Sequence, residues 1–272
     1  MKLRKIATMA TAAVMTMSML TGCGSESYKV EYKPVKGDEY GVVSTMSIEA
    51  SQNSQKMTVG TDVKGTIKFT DVTDDEVTTE VTYDDFSMNM DMAGISMQID
   101  ENNEMFKDLV NEIKSMKIKM TTNKDGELLN CDVEGNLGSN LSEYELDFSN
   151  GDNYLMSGKS SILENMEISE GDTISIPLEQ LLGDNMGSQM GVAFDEDSKL
   201  EGKVNSIKND VAEVEINIDD LKLSDKDVEF TDFKAMVKVN VKTGMTESMT
   251  ISTNMKGTVE GKIDMKVTTT KR

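Results

Sequence analysis

Three methionines spaced two residues apart are the local feature most able to bind a ligand or a metal. Met88, Met90 and Met92 alternate with polar residues. Thioethers are soft ligands that select Cu(I), so this spacing could hold copper. On a strand, however, residues two apart share one face, and flexible methionine side chains adapt to apolar ligands of irregular shape. Because the chain has no histidine to assist, we expect these methionines to form an apolar ligand-binding wall, and we predict no metal site and no cofactor.

Paired carboxylates are the second feature with possible chemistry. The clearest pairs are Asp84-Asp85 and Asp219-Asp220. The acidic segment 225–229 lacks the turn glycine of a calcium loop, and sugar-cleaving carboxylate pairs normally work beside aromatic platforms, whereas the chain has no tryptophan. The absence of histidine also excludes Ser-His-Asp and Cys-His catalysis. We expect these carboxylates to lie in solvated turns and bulges, we predict no catalytic residues, and we expect that the protein is not an enzyme.

The overall composition limits the class of protein. The chain has 272 residues and a formal net charge of −21, which is long enough for one large domain or two modest ones. Such an acidic chain repels phosphate backbones, so we expect no nucleic-acid partner. Apolar residues make up 37% of the sequence and recur periodically. The sequence therefore predicts a folded protein rather than a disordered polyelectrolyte.

The first 22 residues have the pattern of an export signal. A positively charged start is followed by an uncharged apolar run from Ile6 to Leu20, which is too short to span a bilayer. The run ends in Leu20-Thr21-Gly22-Cys23, which resembles the lipobox of bacterial lipoproteins. That resemblance implies cleavage between Gly22 and Cys23, a diacylglyceryl group on the Cys23 thiol, and acylation, for example with palmitate, of the new amino terminus.

A lipid on Cys23 would anchor the mature chain to the outer face of a bacterial cell membrane. Two or three acyl chains bind a bilayer far more firmly than one. Residues 23–27 would then form a lipidated tether that spans at most about 17 Å. The other cysteine, Cys131, would have no disulfide partner, and its alternation with Leu129 and Val133 places it on an apolar strand face.

Most of the remaining chain alternates apolar and polar residues with a period of two, which is typical of half-buried antiparallel strands. The clearest stretch runs from Met249 to Val267, with Gly257 and Gly261 as places where one long strand could bend or break. The sequence therefore predicts a mainly β fold of the α+β kind. We expect long antiparallel strands in two similar halves, arranged as a curved or barrel-like sheet.

One or two short helices are predicted among the strands. Apolar residues at three- and four-residue spacing predict an amphipathic helix near residues 104–116, with Asn102 and Asn103 as candidate caps. A second, shorter helix is predicted from Pro177 to Leu182, because proline is favourable at the first helical position. Both helices are expected to pack on a sheet face or to close an end of the sheet.

An internal repeat supports the division into halves. The strand at Gly65 and the later pair Asp84-Asp85 correspond to Gly202 and the pair Asp219-Asp220. In both copies the apolar positions change parity across the aspartate pair, which predicts a β-bulge at that point.

The two halves also begin with the same dipeptide, Gly37-Asp38 in the first and Gly171-Asp172 in the second. We place the first β-rich half at residues 28–150 and the second at 151–272. The Lys-Gly-Asp opening near an aromatic residue, followed by a second Gly-Asp midway, resembles a β-rich family of bacterial lipoproteins of unknown function. The resemblance covers about residues 28–268 and implies an architecture but no activity.

These features predict a lipid-anchored, extracytoplasmic, non-catalytic protein. We expect it to bind an apolar or amphiphilic envelope ligand, or a membrane partner, in a methionine-rich concavity. The alternative is a structural or interaction module with a closed β core that acts through its acidic surface. An accessible concavity would favour the first hypothesis, because a filled core leaves none.

Overall fold

The computed structural model describes residues 26–52, 55–92, 94–123, 128–135, 163–177, 199–221 and 228–272. Within these ranges the chain forms fourteen strands and one helix. The mainly β fold with long antiparallel strands and a short helix, predicted from the two-residue periodicity, is confirmed.

The strands, in chain order, are β1 (Tyr28–Lys29), β2 (Glu39–Gln52), β3 (Gln55–Val72), β4 (Glu76–Met92), β5 (Ile95–Ile99), β6 (Lys117–Asn123), β7 (Leu128–Glu134), β8 (Glu167–Ile168), β9 (Thr173–Pro177), β10 (Lys199–Lys208), β11 (Val211–Leu221), β12 (Val228–Asn240), β13 (Thr246–Gly257) and β14 (Glu260–Lys271). The helix α1 (Lys107–Ser115) lies between β5 and β6.

Twelve strands form one antiparallel sheet in the order β7-β6-β4-β3-β2-β14-β13-β12-β11-β10-β9, and β5 pairs with the distal end of β4. The remaining strands, β1 and β8, form a separate two-stranded sheet. In the described part of the chain the large sheet is open, with β7 and β9 at its edges. The pairing of β2 with β14 at its centre joins the strands of the predicted first half to those of the second.

One face of the large sheet carries the main core. Residues from strands on both sides of the central β2–β14 pair belong to a single cluster of buried apolar side chains, among them Val81 and Ile118 on one side and Val214 and Ile216 on the other. Leu163, which precedes β8, and Ile168 within β8 belong to the same cluster. The small sheet therefore packs on this face, and both halves of the chain share one core.

Helix α1 covers a separate part of β4. Its buried residue Ile113 and the following Met116 pack with Tyr83 and Phe86 of β4. The helix begins three residues later than its predicted start at residue 104, because the Asn103 side chain accepts the N–H of Met105 at 3.1 Å and so stabilises a turn before the helix. The second predicted helix lies outside the described residues, except for its first residue, Pro177, which ends β9.

The C-terminal apolar alternation forms two strands rather than one. Strand β13 ends at Gly257, whose φ is 133°, and β14 returns antiparallel to it. Gly261 lies so close to β2 that a Cβ atom there would stand 1.9 Å from the Glu49 carbonyl oxygen. The two glycines predicted as bend points therefore have distinct roles, one in the turn and one in a close approach between strands.

The predicted β-bulge is confirmed in the first copy of the repeat and is placed differently in the second. Lys64 pairs with Asp85 and Gly65 pairs with Tyr83, so Asp84 is the extra residue. In the second copy, β11 keeps one register with β12 on both sides of Asp219. The register shift occurs instead between β12 and β13, next to Asp232, whose φ is 54°.

Candidate functional site

Met88, Met90 and Met92 lie at the end of β4 beyond the bulge. Because Asp84 is an additional residue, the positions that face the core change from Val81 and Tyr83 to the even-numbered residues that follow. The three methionines are therefore on the same face of the sheet as the main core, as the sequence pattern predicts.

These residues belong to a larger apolar surface, which we call the methionine face. Met88 pairs with Thr61, and Thr61 pairs with Met46. Two further rows of directly paired residues follow towards the ends of the strands. The methionine face consists of Met46, Ile48, Met57, Val59, Met88, Met90, Met92, Ile95, Met97 and Ile99.

The methionine face is accessible. The side chains of Met92 and Ile95 are 51% and 71% exposed. The other members are half-buried, and none belongs to the core clusters defined by the described residues. On the reverse side of the same strands, Glu49, Asn89 and Asp91 are exposed. This end of the sheet is thus amphipathic, with an apolar face that continues past the core.

A cavity of about 640 Å³ lies on the opposite face of the sheet, and Met88, Met90 and Met92 are not among its lining residues. We call it the outer trough. It crosses β3, β2, β14, β13, β12 and β11, between two rows of residues that are paired across these strands. One wall contains Asp62, Thr45, Lys266, Thr250, Met236 and Glu215. The other contains Gly60, Ser47, Asp264, Ser252, Lys234 and Asn217.

The wall residues face away from the main core. Lys234, Thr250 and Lys266 are exposed, whereas their chain neighbours Ala235 and Ile251 are buried. Successive side chains on a strand point to opposite faces. The wall side chains are therefore on the face opposite the methionine face. The row of residues between the walls also lines the trough and consists of Thr61, Met46, Met265, Ile251 and Ala235.

The carboxylates singled out in the sequence do not converge on a catalytic centre in the described part of the chain. Asp84 accepts hydrogen bonds from Thr66 Oγ1 at 3.2 Å and from Arg272 Nη2 at 3.0 Å. Asp85 pairs with Lys64 at 2.8 Å, and this hydrogen bond lowers the pKa of Asp85. Within the described ranges no three Cys, Asp or Glu side chains form a group that could hold a metal ion.

The remaining predicted residues divide between the core and the part of the chain outside the described ranges. Cys131 lies on β7 and packs, half-buried, against the main core, as predicted. Gly22 and Cys23, the predicted cleavage and lipidation residues, lie outside the described residues, as do Asp225 and Asp227. In the ranges that are described, no helix combines the length and the apolar character needed to cross a membrane.

Two half-buried tyrosines have strongly raised pKa values. Burial raises the pKa of Tyr83 to about 12. Burial also raises the pKa of Tyr32, whose ring packs edge-on against Phe69 with 6.4 Å between centroids. Tyr83 lies where α1 meets β4, and Tyr32 lies beside a small aromatic cluster. Both shifts therefore reflect packing and mark no reactive group.

The methionine face was predicted from the residues of one strand, β4, whereas the outer trough was not predicted. Each wall of the trough takes one residue from each of six strands. Polar alternation marks these residues as solvent-facing, but only the register of all six strands brings them together.

No protein-family model matches the chain, and no curated protein matches it. The resemblances to lipoproteins therefore remain predictions.

Proposed function

We propose that this chain is a lipid-anchored, extracytoplasmic, non-catalytic protein that binds an apolar or amphiphilic envelope ligand, or the apolar surface of an envelope partner, on its methionine face. Acyl chains on Cys23 would hold it at the outer face of a bacterial cell membrane. The observation that carries the binding part of the proposal is the accessible methionine face, which extends past the core.

The methionine face is a product of the sequence pattern. On β4, Met88, Met90 and Met92 alternate with the polar residues Asn89 and Asp91, and the methionines share the core-side face. A strand end that only faced solvent would have no need of apolar side chains on either face. Burial of a fully exposed apolar side chain gains about 1.5–3 kcal/mol, so a partner that covered Met92 and Ile95, which are 51% and 71% exposed, would gain part of that for each.

Methionine also suits an adaptable binding surface. Its unbranched, polarizable side chain has three rotatable bonds and can repack around ligands of different shape. Met57 on β3 and Met97 on β5 add two such side chains next to β4, and Met46 on β2 adds a third one strand further away. Acyl chains and apolar protein segments both match such a surface.

Anchoring by lipid is consistent with the charge of the chain. A formal charge of −21 gives no attraction to an anionic membrane surface. Acyl chains would supply the affinity that electrostatics cannot, at about 0.8 kcal/mol per buried CH₂.

Native mass spectrometry and organic extraction of the protein purified from membranes in mild detergent test the binding proposal. We expect an apolar ligand or an envelope partner to copurify with the wild-type chain. Met90→Glu should abolish copurification, because it places a charge in the methionine face. Asn89→Glu is the matched control, since it adds a charge on the opposite face of the same strand, and it should retain the ligand.

The same experiment separates the alternative function. A module that acts through its acidic surface would lose its partner as ionic strength rises and would respond to Asn89→Glu as much as to Met90→Glu. A wild-type protein that copurifies with no ligand and no partner would contradict the proposed binding function.

A further inference from the structure

The outer trough has the size and shape of a binding site for an extended molecule. Its volume of about 640 Å³ lies within the range of small-molecule pockets, roughly 300–1,000 Å³. Same-face residues on one strand are about 7 Å apart, and six neighbouring strands span about 24 Å. The two rows of wall residues are therefore about 7 Å apart from Cα to Cα, and they run for about 24 Å across the strands.

The walls of the trough carry charges of both signs. Lys266 is in one wall and Lys234 in the other, two strands apart. Neither lysine forms an ion pair with a side chain in the described part of the chain. Three carboxylates, Asp62, Glu215 and Asp264, share the walls with them. Both lysines can therefore accept an anionic partner from solution.

Two of the carboxylates are held in place by neighbours. Glu215 accepts hydrogen bonds at 2.7 Å from the side-chain amides of Asn217 and Asn205, and these bonds lower its pKa. Asp264 pairs with Lys262 at 2.7 Å. In the strand order, the two lysines lie between Glu215 and Asp62. The trough therefore presents positive and negative side chains at separate points along its length.

From this geometry we infer that the outer trough binds a short, extended peptide that carries both cationic and anionic side chains. Apart from Met236 and Gly60, the wall residues carry hydroxyl, amide or charged side chains, which suit a polar partner. A polyanion would be repelled by the three carboxylates of the walls and by the net charge of −21 on the chain. An extended peptide of about seven residues spans the 24 Å length. The inference does not depend on the methionine face, which lies on the opposite side of the sheet.

Fluorescence anisotropy of a labelled peptide of about eight residues, with alternating Lys and Glu, tests the inference with the purified full chain near physiological ionic strength. We expect saturable binding by the alternating peptide and weaker binding by an all-Glu peptide of equal length. Replacing Lys234 and Lys266 together by Ser should weaken binding of the alternating peptide by about tenfold or more, the equivalent of about 1.4 kcal/mol.

Two control comparisons test whether binding of the peptide depends on the trough itself. Replacing the exposed Lys68 and Lys256 by Ser removes the same charge outside the trough and should leave the affinity unchanged. Thr250→Trp, at an exposed wall position, fills the channel without a change in charge and should also abolish binding. Equal weakening by both lysine pairs, unchanged binding by Thr250→Trp, or no binding of the alternating peptide by the wild-type chain would each overturn the inference.

Discussion

Gly37 and Gly171 occupy corresponding turns of the two halves and share one left-handed backbone conformation, with φ of 91° and 92°. Gly37 donates its N–H to the Phe69 carbonyl at 2.8 Å, and Gly171 donates to the Val204 carbonyl at the same distance. Phe69 and Val204 in turn donate their N–H groups to the carbonyl oxygens of the aspartates that follow the two glycines, Asp38 and Asp172. This reciprocal pair of hydrogen bonds gives the two turns the same local structure.

Substitution of either glycine should destabilise the fold through backbone strain alone. A Cβ atom at Gly37 or Gly171 would meet no atom within 4 Å, so steric contact contributes nothing. We expect Gly37→Ala and Gly171→Ala each to lower the free energy of unfolding by about 1 kcal/mol or more, measured by urea denaturation. Gly60→Ala is the control, because Gly60 also has free space but lies in a strand without positive φ. A loss of stability as large in Gly60→Ala would contradict the strain explanation.

A different mechanism should operate at Gly261. Its added Cβ would stand 1.9 Å from the Glu49 carbonyl oxygen, so β14 and β2 would have to separate there. We expect Gly261→Ala to lower the free energy of unfolding by about 3 kcal/mol. Hydrogen exchange should show the loss concentrated in the β2–β14 pair. Retention of full protection in this pair would show that the strands accommodate a methyl group.

Methionines of the core and of the methionine face should differ in their effect on stability. Met120 on β6 is 2% exposed and belongs to the main core, whereas Met90 belongs to none of the core clusters. Met120→Ala should cost about 2–5 kcal/mol of unfolding free energy, because it leaves a cavity. Met90→Ala should cost about 1 kcal/mol or less, since solvent already reaches the site. Thermal or urea denaturation of the ligand-free protein measures both, and equal costs would place Met90 in the core.

Alkaline pH should destabilise the protein partly through Tyr83. Burial raises its pKa from the ordinary value of about 10 to about 12. Because the folded pKa is above the unfolded one, this stabilisation is complete below about pH 10 and is lost as the pH rises towards about 12. Tyr83→Phe should therefore retain about 1 kcal/mol more of its neutral-pH stability than the wild type at about pH 11. Urea denaturation at both pH values measures this difference, and identical pH dependence in the two proteins would contradict it.

The anchor proposal predicts a change of cell fraction. Replacing Cys23 by Ala removes the thiol that would receive the diacylglyceryl group, so the exported chain should move from the membrane fraction to the soluble extracytoplasmic fraction. Cys131→Ala is the control, because it removes the other cysteine of the chain and should leave the protein at the membrane. Continued membrane retention of the Cys23→Ala protein would contradict the anchor.

The fold class and the methionine face could be predicted from the alternation of apolar and polar residues, because a two-residue period indicates directly which side chains share a face of a strand. The change of parity at Asp84 was enough to locate a bulge. The same change at Asp219 did not locate the bulge, because the register shift lies at Asp232 on the neighbouring strand β12. The alternation of apolar residues along one strand does not show which of several paired strands contains the extra residue. Helix α1 was predicted from its apolar spacing, but its start depended on the side chain of Asn103.

The outer trough could not be predicted, because its walls depend on long-range register. Lys266 and Thr250 become neighbours through the β13–β14 pairing, and Thr45 joins them only when β14 pairs with β2 across most of the chain. Each residue alone is an ordinary polar position on a strand. Single-sequence patterns carry no information on which polar positions of distant strands lie side by side.

The two ends of the large sheet have different neighbours. Lys33, just after β1, donates its N–H to Thr243 in the β12–β13 turn at 2.9 Å, so the start of the described chain lies at that end. The methionine face lies at the other end, where β4 meets β5. Strand β13 has 12 residues, so the two ends are separated by about 40 Å. A chain tethered through Cys23 would thus use its long strands as a spacer and hold its methionines at the end far from the bilayer.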